Sequence, residues 1–115
     1  MSEQTTDTKI KLSGAIKKGI KRFPMQAIGA YFSNENGQQT ADAMGSAVWG
    51  ALGVQDESGV IDLANVYPEL HKEHEPPKNS RDIIVNWTLQ AEIEHRNNCG
   101  WSREKIADWL ESLGY

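Results

Sequence analysis

The chain has 115 residues, of which 38% are hydrophobic and 24% charged, and its formal net charge is −4. This length suits one domain with one hydrophobic core, and the hydrophobic content excludes the class of chains that stay unfolded. A single cysteine excludes an intrachain disulfide and favours a reducing compartment, so we expect a cytoplasmic protein. The longest uncharged stretch, residues 43–55, is too short for a membrane span.

Charge is distributed unevenly along the sequence. Residues 1–22 contain six Lys or Arg and two Asp or Glu, a net charge of +4, whereas residues 23–115 contain six and fourteen, a net charge of −8. The acidic part disfavours nonspecific binding to nucleic acid, because that binding depends on cations that displace counterions from phosphates. It suits a protein that binds a basic surface.

The first predicted element is a basic amphipathic helix. Residues 1–10 are small and polar, and we expect them to form a disordered tail. One large apolar residue per turn over residues 12–23 predicts a helix that is capped by Ser13 and ended by Pro24. Its opposite face carries our candidate partner-binding residues, Lys17, Lys18, Lys21 and Arg22. A solvated surface would explain the same four cations.

A hairpin and a core helix are predicted next. The Asn36-Gly37 pair favours a tight turn, which predicts a possible short β-hairpin near residues 27–40. Thr40 then precedes a run of small and apolar residues, for which we predict a helix with Thr40 as N-cap and Gly53 as C-terminal cap. One face of this helix has only small side chains, so another backbone can approach it closely.

The middle of the chain is less clearly patterned. Residues 60–70 suit a short helix or an irregular turn, and residues 71–79, charged and interrupted by two prolines, predict a linker. Residues 81–95 alternate as a strand would, yet their length without Gly or Pro and a potential cap at Ser80 favour a helix. Strand and helix both stay open for residues 82–89.

The last predicted element is a helix from Arg103 to Ser112. Ser102 is its expected N-cap, and Trp101 is expected to pack on Ile106 as a hydrophobic staple. The residues expected to face the core are Ile106, Trp109, Leu110 and Leu113, and Gly114 is expected to end the helix. We expect most of the four tryptophans to be core residues. Residues 11–115 are thus predicted to form a single globular domain of mainly α class, a small bundle of about four helices.

Four short stretches carry a sequence resemblance: LSGAIKKG at 12–19, PMQAIGAYF at 24–32, AMGSA at 43–47 and WSREKIADWL at 101–110. Together they resemble a group of small bacterial and phage-type proteins of no assigned activity, with L-S-x-A-I-x-x-G and W-[ST]-R-E-x-I-A-D-W motifs. The chain departs from this group at Asp42, where the group has Cys, and at Arg96 and Asn98, which interrupt a Leu-Asn-Asp run. The resemblance implies a small, mostly helical, cytoplasmic domain of bacterial or phage origin.

Metal-binding and catalytic residue types are few. The only soft or borderline metal ligands are His71, His74, His95 and Cys99. Four such residues could bind zinc, but their spacing matches no known motif. His71 and His74 lie in a charged segment, and exposure to solvent explains them without a metal. Cys99 could act as a catalytic nucleophile with His95 as its base, but the sequence offers no third group to orient that base. We therefore predict no cofactor, no metal site and no catalytic residues, with these four as weak metal candidates.

Two classes of function remain, with a weaker third. The leading hypothesis is a non-enzymatic protein-interaction or regulatory module, phage-encoded and acting on a host protein, since the chain is small, acidic and without a catalytic motif. The alternative is a nucleic-acid-binding domain that uses the basic N-terminal helix. A small metal-binding or enzymatic protein is the third. The sequence leaves the oligomeric state open.

Overall fold

The computed structural model describes residues 10–75 and 87–115. The helices in these ranges are α1 (Leu12–Arg22), α2 (Ala43–Leu52), α3 (Gly59–Val66), α4 (Leu89–Asn98) and α5 (Arg103–Ser112). The strands are β1 (Met25–Gln26), β2 (Phe32–Glu35) and β3 (Gln38–Ala41), and a 3₁₀ helix, Pro68–His71, follows α3. The predicted mainly helical fold is confirmed. Within these ranges the fold has five α-helices and a mixed three-stranded sheet, where we predicted a bundle of about four helices with a short hairpin near residues 27–40.

The sheet is built around the predicted hairpin. Asn36 and Gly37 have positive φ values of 56° and 84°, as a tight turn between twisted strands requires, and β2 pairs antiparallel with β3. The first strand of the hairpin begins only at Phe32. The sheet has the strand order β1-β3-β2, with β1 parallel to β3. The parallel pairing was not predicted, because β1 has only two residues.

Close contact between α1 and α2 confirms the small-residue face. A Cβ atom on Gly50 of α2 would lie 1.9 Å from the carbonyl oxygen of Ala15, and one on Gly19 of α1 would lie 2.0 Å from that of Ser46. Neither helix could therefore carry a larger residue at these positions without moving away from the other. The core continues from this contact through α3, α4 and α5, with Leu12, Ile16, Met44, Leu63, Leu70, Leu89, Ile93, Ile106 and Leu110 fully buried.

Substitution of Gly50 by Ala should destabilise the protein although alanine is the better helix former. The intrinsic preference of about 1 kcal/mol favours the variant. Separation of α1 from α2 should cost up to about 3 kcal/mol, for a net loss of up to about 2 kcal/mol in the free energy of unfolding, measured by urea denaturation. Gly14→Ala is the matched control, since its Cβ would approach nothing closer than the Ile10 Cβ at 3.6 Å. That control should gain stability, and equal effects at both sites would contradict the close contact.

Two predicted helix caps need correction. Ser13 does not cap α1; its hydroxyl donates to the Tyr115 carbonyl oxygen at 3.0 Å, and Lys11 occupies the N-cap position. Thr40 lies in β3, where it pairs with Ser33, so the cap of α2 passes to Asp42. A contact with a residue distant in sequence replaces the local cap at Ser13, and pairing with a neighbouring strand replaces it at Thr40.

Helix α4 begins later than predicted. Thr88 is its N-cap, accepting from the amide of Ala91 at 3.2 Å, whereas Ser80 lies outside the described residues. Trp87 and Thr88 are non-helical because Thr88 pairs with Glu73 and the Trp87 carbonyl accepts from the amide of His74. Three other predictions concern residues outside the described ranges. They are the choice between strand and helix for residues 82–86, the predicted tail at residues 1–9 and the predicted linker at residues 76–79.

Helix α5 follows its predicted bounds. The Ser102 hydroxyl accepts from the amide of Lys105 at 3.0 Å, and Gly114 ends the helix with a φ of 92°. Leu113, however, is 44% exposed rather than buried, because it follows the last turn of the helix.

The tryptophans are also less buried than predicted. The residues Trp49, Trp87, Trp101 and Trp109 are half-buried, and Trp101 and Trp109 pack against the largely aliphatic core. The Arg96 guanidinium carbon lies 4.4 Å and 4.1 Å from the ring centroids of Trp101 and Trp109, so cation–π contacts hold these two rings.

Candidate functional site

An acidic cleft of about 360 Å³ lies beside the N-terminus of α2 and the C-terminal half of α4. Its lining residues are Gly29, Ala30, Tyr31, Asp42, Glu57, Glu94 and Asn98. Three of these carry carboxylates, and among the described residues that line the cleft no side chain is cationic. We refer to this feature as the acidic cleft.

The wall of the acidic cleft is positioned by the connection from β1 to β2. Gly29 has a φ of 81° and its amide donates to the Asn98 side chain at 3.2 Å. The Tyr31 carbonyl accepts from the amide of Asp42 at 3.0 Å. A Cβ on Gly45 would lie 2.1 Å from the same Tyr31 oxygen, so glycine there lets the wall approach α2.

Buried Asn97 ties α4 to the residues behind this wall. Its side-chain oxygen accepts from the amide of Ala43 at 3.1 Å and from Gln26 Nε2 at 2.8 Å. Its side-chain nitrogen donates to the Ala27 carbonyl at 3.0 Å. Full burial of an amide side chain with these partners fixes α2, α4 and β1 relative to each other.

Asp42 is the most buried carboxylate of the acidic cleft, with 5% of the residue exposed. One carboxylate oxygen accepts from the Gly45 amide at 2.7 Å, which caps α2. Burial, with the charge of Glu94 adding to it, raises the pKa of Asp42 to about 7 in spite of the hydrogen bond from Gly45. Asp42 therefore changes its charge near neutral pH.

Glu94 faces a neutral donor. The Tyr31 hydroxyl donates to Glu94 Oε2 at 2.8 Å, and Gln90 donates to the same oxygen at 3.1 Å. Burial together with the bond to Glu94 raises the pKa of Tyr31 to about 12, so the phenol keeps its proton at physiological pH. These carboxylate acceptors and the polar backbone around them match a guanidinium or an ammonium group.

The structure divides the predicted basic residues of α1 into two sets. The ammonium group of Lys17 lies 3.2 Å from both Asp108 and Glu111 of α5, and hydrogen bonds to these two carboxylates raise the pKa of Lys17. Lys18 and Lys21 are exposed. The guanidinium carbon of Arg22 lies 5.3 Å from the ring centroid of Trp49. Lys17 therefore stabilises the protein's own surface rather than lying free for a partner.

The weak metal candidates do not come together as a set. Cys99 Sγ lies 3.6 Å from His95 Nε2, whereas the His74 ring packs against Trp109 at 6.3 Å and His71 ends the 3₁₀ helix. Within residues 10–75 and 87–115, no group of three or more His, Cys, Asp or Glu side chains has the geometry to hold a metal ion.

Sequence reasoning missed the acidic cleft. Tyr31 and Glu94 are 63 positions apart, so no local pattern connects them. Asp42 did carry a signal, because aspartate is a better N-cap than threonine and stands two residues after Thr40.

No helix in the described part of the chain is long and apolar enough to cross a membrane. Comparison with protein-family models, with curated proteins and with solved structures finds no match to this chain.

Proposed function

We propose that this protein is a non-enzymatic protein-interaction module whose acidic cleft receives a lysine or arginine side chain of a partner protein. The observation that carries the proposal is a cleft with three carboxylates in its lining and no cationic side chain there among the described residues. Its volume of about 360 Å³ falls within the usual range of pockets that hold small ligands.

The burial of the Asp42 carboxylate is the physical basis for the preference for a cation. A carboxylate that is 5% exposed loses most of its hydration, and hydrogen bonds to the helix N-terminus compensate only part of that loss. The charge of Arg103 also offsets part of the loss, and a guanidinium or ammonium group in the cleft would add a further opposite charge. The carboxylate of Glu94, held by Tyr31 at 2.8 Å, gives a second acceptor on the α4 side.

Binding of arginine peptides tests the proposal. We expect a short peptide with one central arginine to bind measurably in isothermal titration calorimetry. The same peptide with citrulline, which keeps the shape and lacks the charge, should bind at least about tenfold more weakly, because charge-assisted hydrogen bonds are roughly twice as strong as neutral ones. Glu94→Gln and Asp42→Asn should each weaken the arginine peptide about tenfold.

Both substitutions keep the size and the local hydrogen bonding of the residue, so the fold should persist. Glu104→Gln, which removes an exposed carboxylate from α5, is the matched control and should leave the affinity unchanged. Equal affinities for the arginine and citrulline peptides, or equal effects of Glu94→Gln and Glu104→Gln, would refute the proposal.

A further inference from the structure

A second charged surface lies on α1, away from the acidic cleft. Lys18, Lys21 and Arg22 are spaced as neighbours on one side of the helix, and Lys11 precedes Lys18 by two helical turns on the same side. All four residues are exposed. We call them the basic face of α1.

Within the described residues, the positive charges of this face are not neutralised by carboxylates of the rest of the protein. Helix α1 packs on α2 and α5; α2 has no charged residue, and Asp108 and Glu111 of α5 are paired with Lys17. Among the described residues, no carboxylate lies within ion-pair distance of Lys18 or Lys21. Repulsion between like charges at this spacing offsets the gain from Lys21 and Arg22 in the last turn of the helix, so the face is not explained by a net gain in helix stability.

The basic face is also held rigidly. The contact of Gly19 with Ser46 fixes the middle of α1 against α2. At the C-terminal end, the Arg103 guanidinium donates to the carbonyl oxygens of Phe23 at 2.5 Å and Pro24 at 2.8 Å. The Arg22 guanidinium stacks on the rings of Phe23 and Trp49. Because the backbone of α1 is already ordered, a partner that binds this face does not have to order it.

We propose that the basic face of α1 binds the phosphate backbone of double-stranded nucleic acid. At a rise of 1.5 Å per residue, the span from Lys11 to Arg22 is about 16 Å, over which a duplex presents one charge per about 1.7 Å of its axis. An anionic membrane is less suited, because the apolar side chains Leu12 and Ile16 are fully buried and cannot insert into a bilayer. The acidic remainder of the chain weakens such binding, so the binding depends on the local charge of this face, and it does not depend on the acidic cleft.

Salt dependence of duplex binding tests the inference. With four phosphate contacts, the logarithm of the association constant should fall with the logarithm of salt concentration at a slope of about −3.6, a loss of about 150-fold between roughly 50 and 200 mM salt. Lys18→Gln with Lys21→Gln should halve the slope and reduce that loss to about 12-fold. The measurement is fluorescence anisotropy of the full chain with a labelled DNA duplex of about 20 base pairs.

The control variant combines Lys72→Gln and Lys105→Gln. It removes the same amount of charge from exposed sites off the basic face, and its slope should equal that of the unmodified protein. Circular dichroism would verify that both double variants are folded. Equal slopes for the two double variants would overturn the inference. So would binding to vesicles rich in phosphatidylserine without binding to the duplex.

Discussion

Replacing Arg103 with methionine should lower the free energy of unfolding by about 3–5 kcal/mol, the largest effect we expect of any single substitution. Only 2% of this residue is exposed. Its guanidinium donates to the carbonyl oxygens of Phe23, Pro24 and Ala41 and to the Ser46 hydroxyl, at 2.5, 2.8, 3.3 and 3.2 Å. Methionine would remove the donor from the buried Phe23 carbonyl oxygen and the buried Ser46 hydroxyl, whereas the Ala41 carbonyl would keep its bond from the Ala27 amide.

The position of Arg103 explains why the loss should be global. Its contacts reach the end of α1, the end of β3 and the middle of α2, so one side chain joins three elements to α5. Burial lowers the pKa of Arg103, yet an arginine keeps its proton at any physiological pH. Carbonyl dipoles, rather than a carboxylate at ion-pair distance among the described residues, stabilise this buried cation.

Urea denaturation would measure the loss at Arg103. Arg103→Lys is the second variant, because it keeps the charge but loses the planar fork, and it should fall between the unmodified protein and Arg103→Met. Arg96→Met is the control. Arg96 is half-buried, stacks on two tryptophans and pairs with Glu92 at 2.7 Å, so its loss should be smaller. A smaller effect of Arg103→Met than of Arg96→Met would contradict this account of Arg103.

Asp42→Asn should make the protein more stable at pH 8 by about 2–4 kcal/mol. The folded protein raises the pKa of Asp42 to about 7, whereas the unfolded chain has an ordinary value of about 3.9. The folded state therefore binds more protons between these values, and stability from this group falls as pH rises from about 4 to about 7. Asparagine is an equally good N-cap and carries no charge to bury.

Thermal or urea unfolding at pH 5 and pH 8 would test this expectation. The gain in Asp42→Asn should be large at pH 8 and small at pH 5. Asp108→Asn is the control, since this carboxylate is exposed and paired with Lys17, and its effect should stay below about 1 kcal/mol at either pH. A gain at Asp42 that does not change with pH would show that its carboxylate is not disfavoured by burial.

The sequence predicted the bounds of a helix where neighbouring residues determine its ends. Helix α5 keeps its predicted bounds because Ser102 and Gly114 determine both ends through neighbouring amides and φ values. The small side chains of α2 predicted a close approach by another backbone, but the sequence did not show that this backbone is that of α1. Thr40 failed as a cap because strand pairing with Ser33 competes for the same backbone, and sheet partners are not local.

The candidate sites depend on distant contacts and were predicted less well. The basic residues of α1 were identified, but only the structure separates Lys17, paired with α5, from Lys18 and Lys21. Nothing in the local sequence distinguishes Arg103 from the exposed charges around it, because its burial depends on carbonyl groups of Phe23 and Ala41. The acidic cleft likewise requires Tyr31 and Asp42 to meet α4.

The most direct test of cation binding in the acidic cleft is a ¹H–¹⁵N correlation spectrum recorded while the arginine peptide is titrated into the protein. The largest chemical-shift changes should occur at the amides of Gly29, Tyr31 and Gly45, because these groups line the cleft or bond to its carboxylates. At the same concentration, the citrulline peptide should change these chemical shifts much less, because we expect it to bind at least about tenfold more weakly. Shift changes that cluster elsewhere, or no changes at these amides with the arginine peptide, would contradict the assignment of the cleft as the binding site.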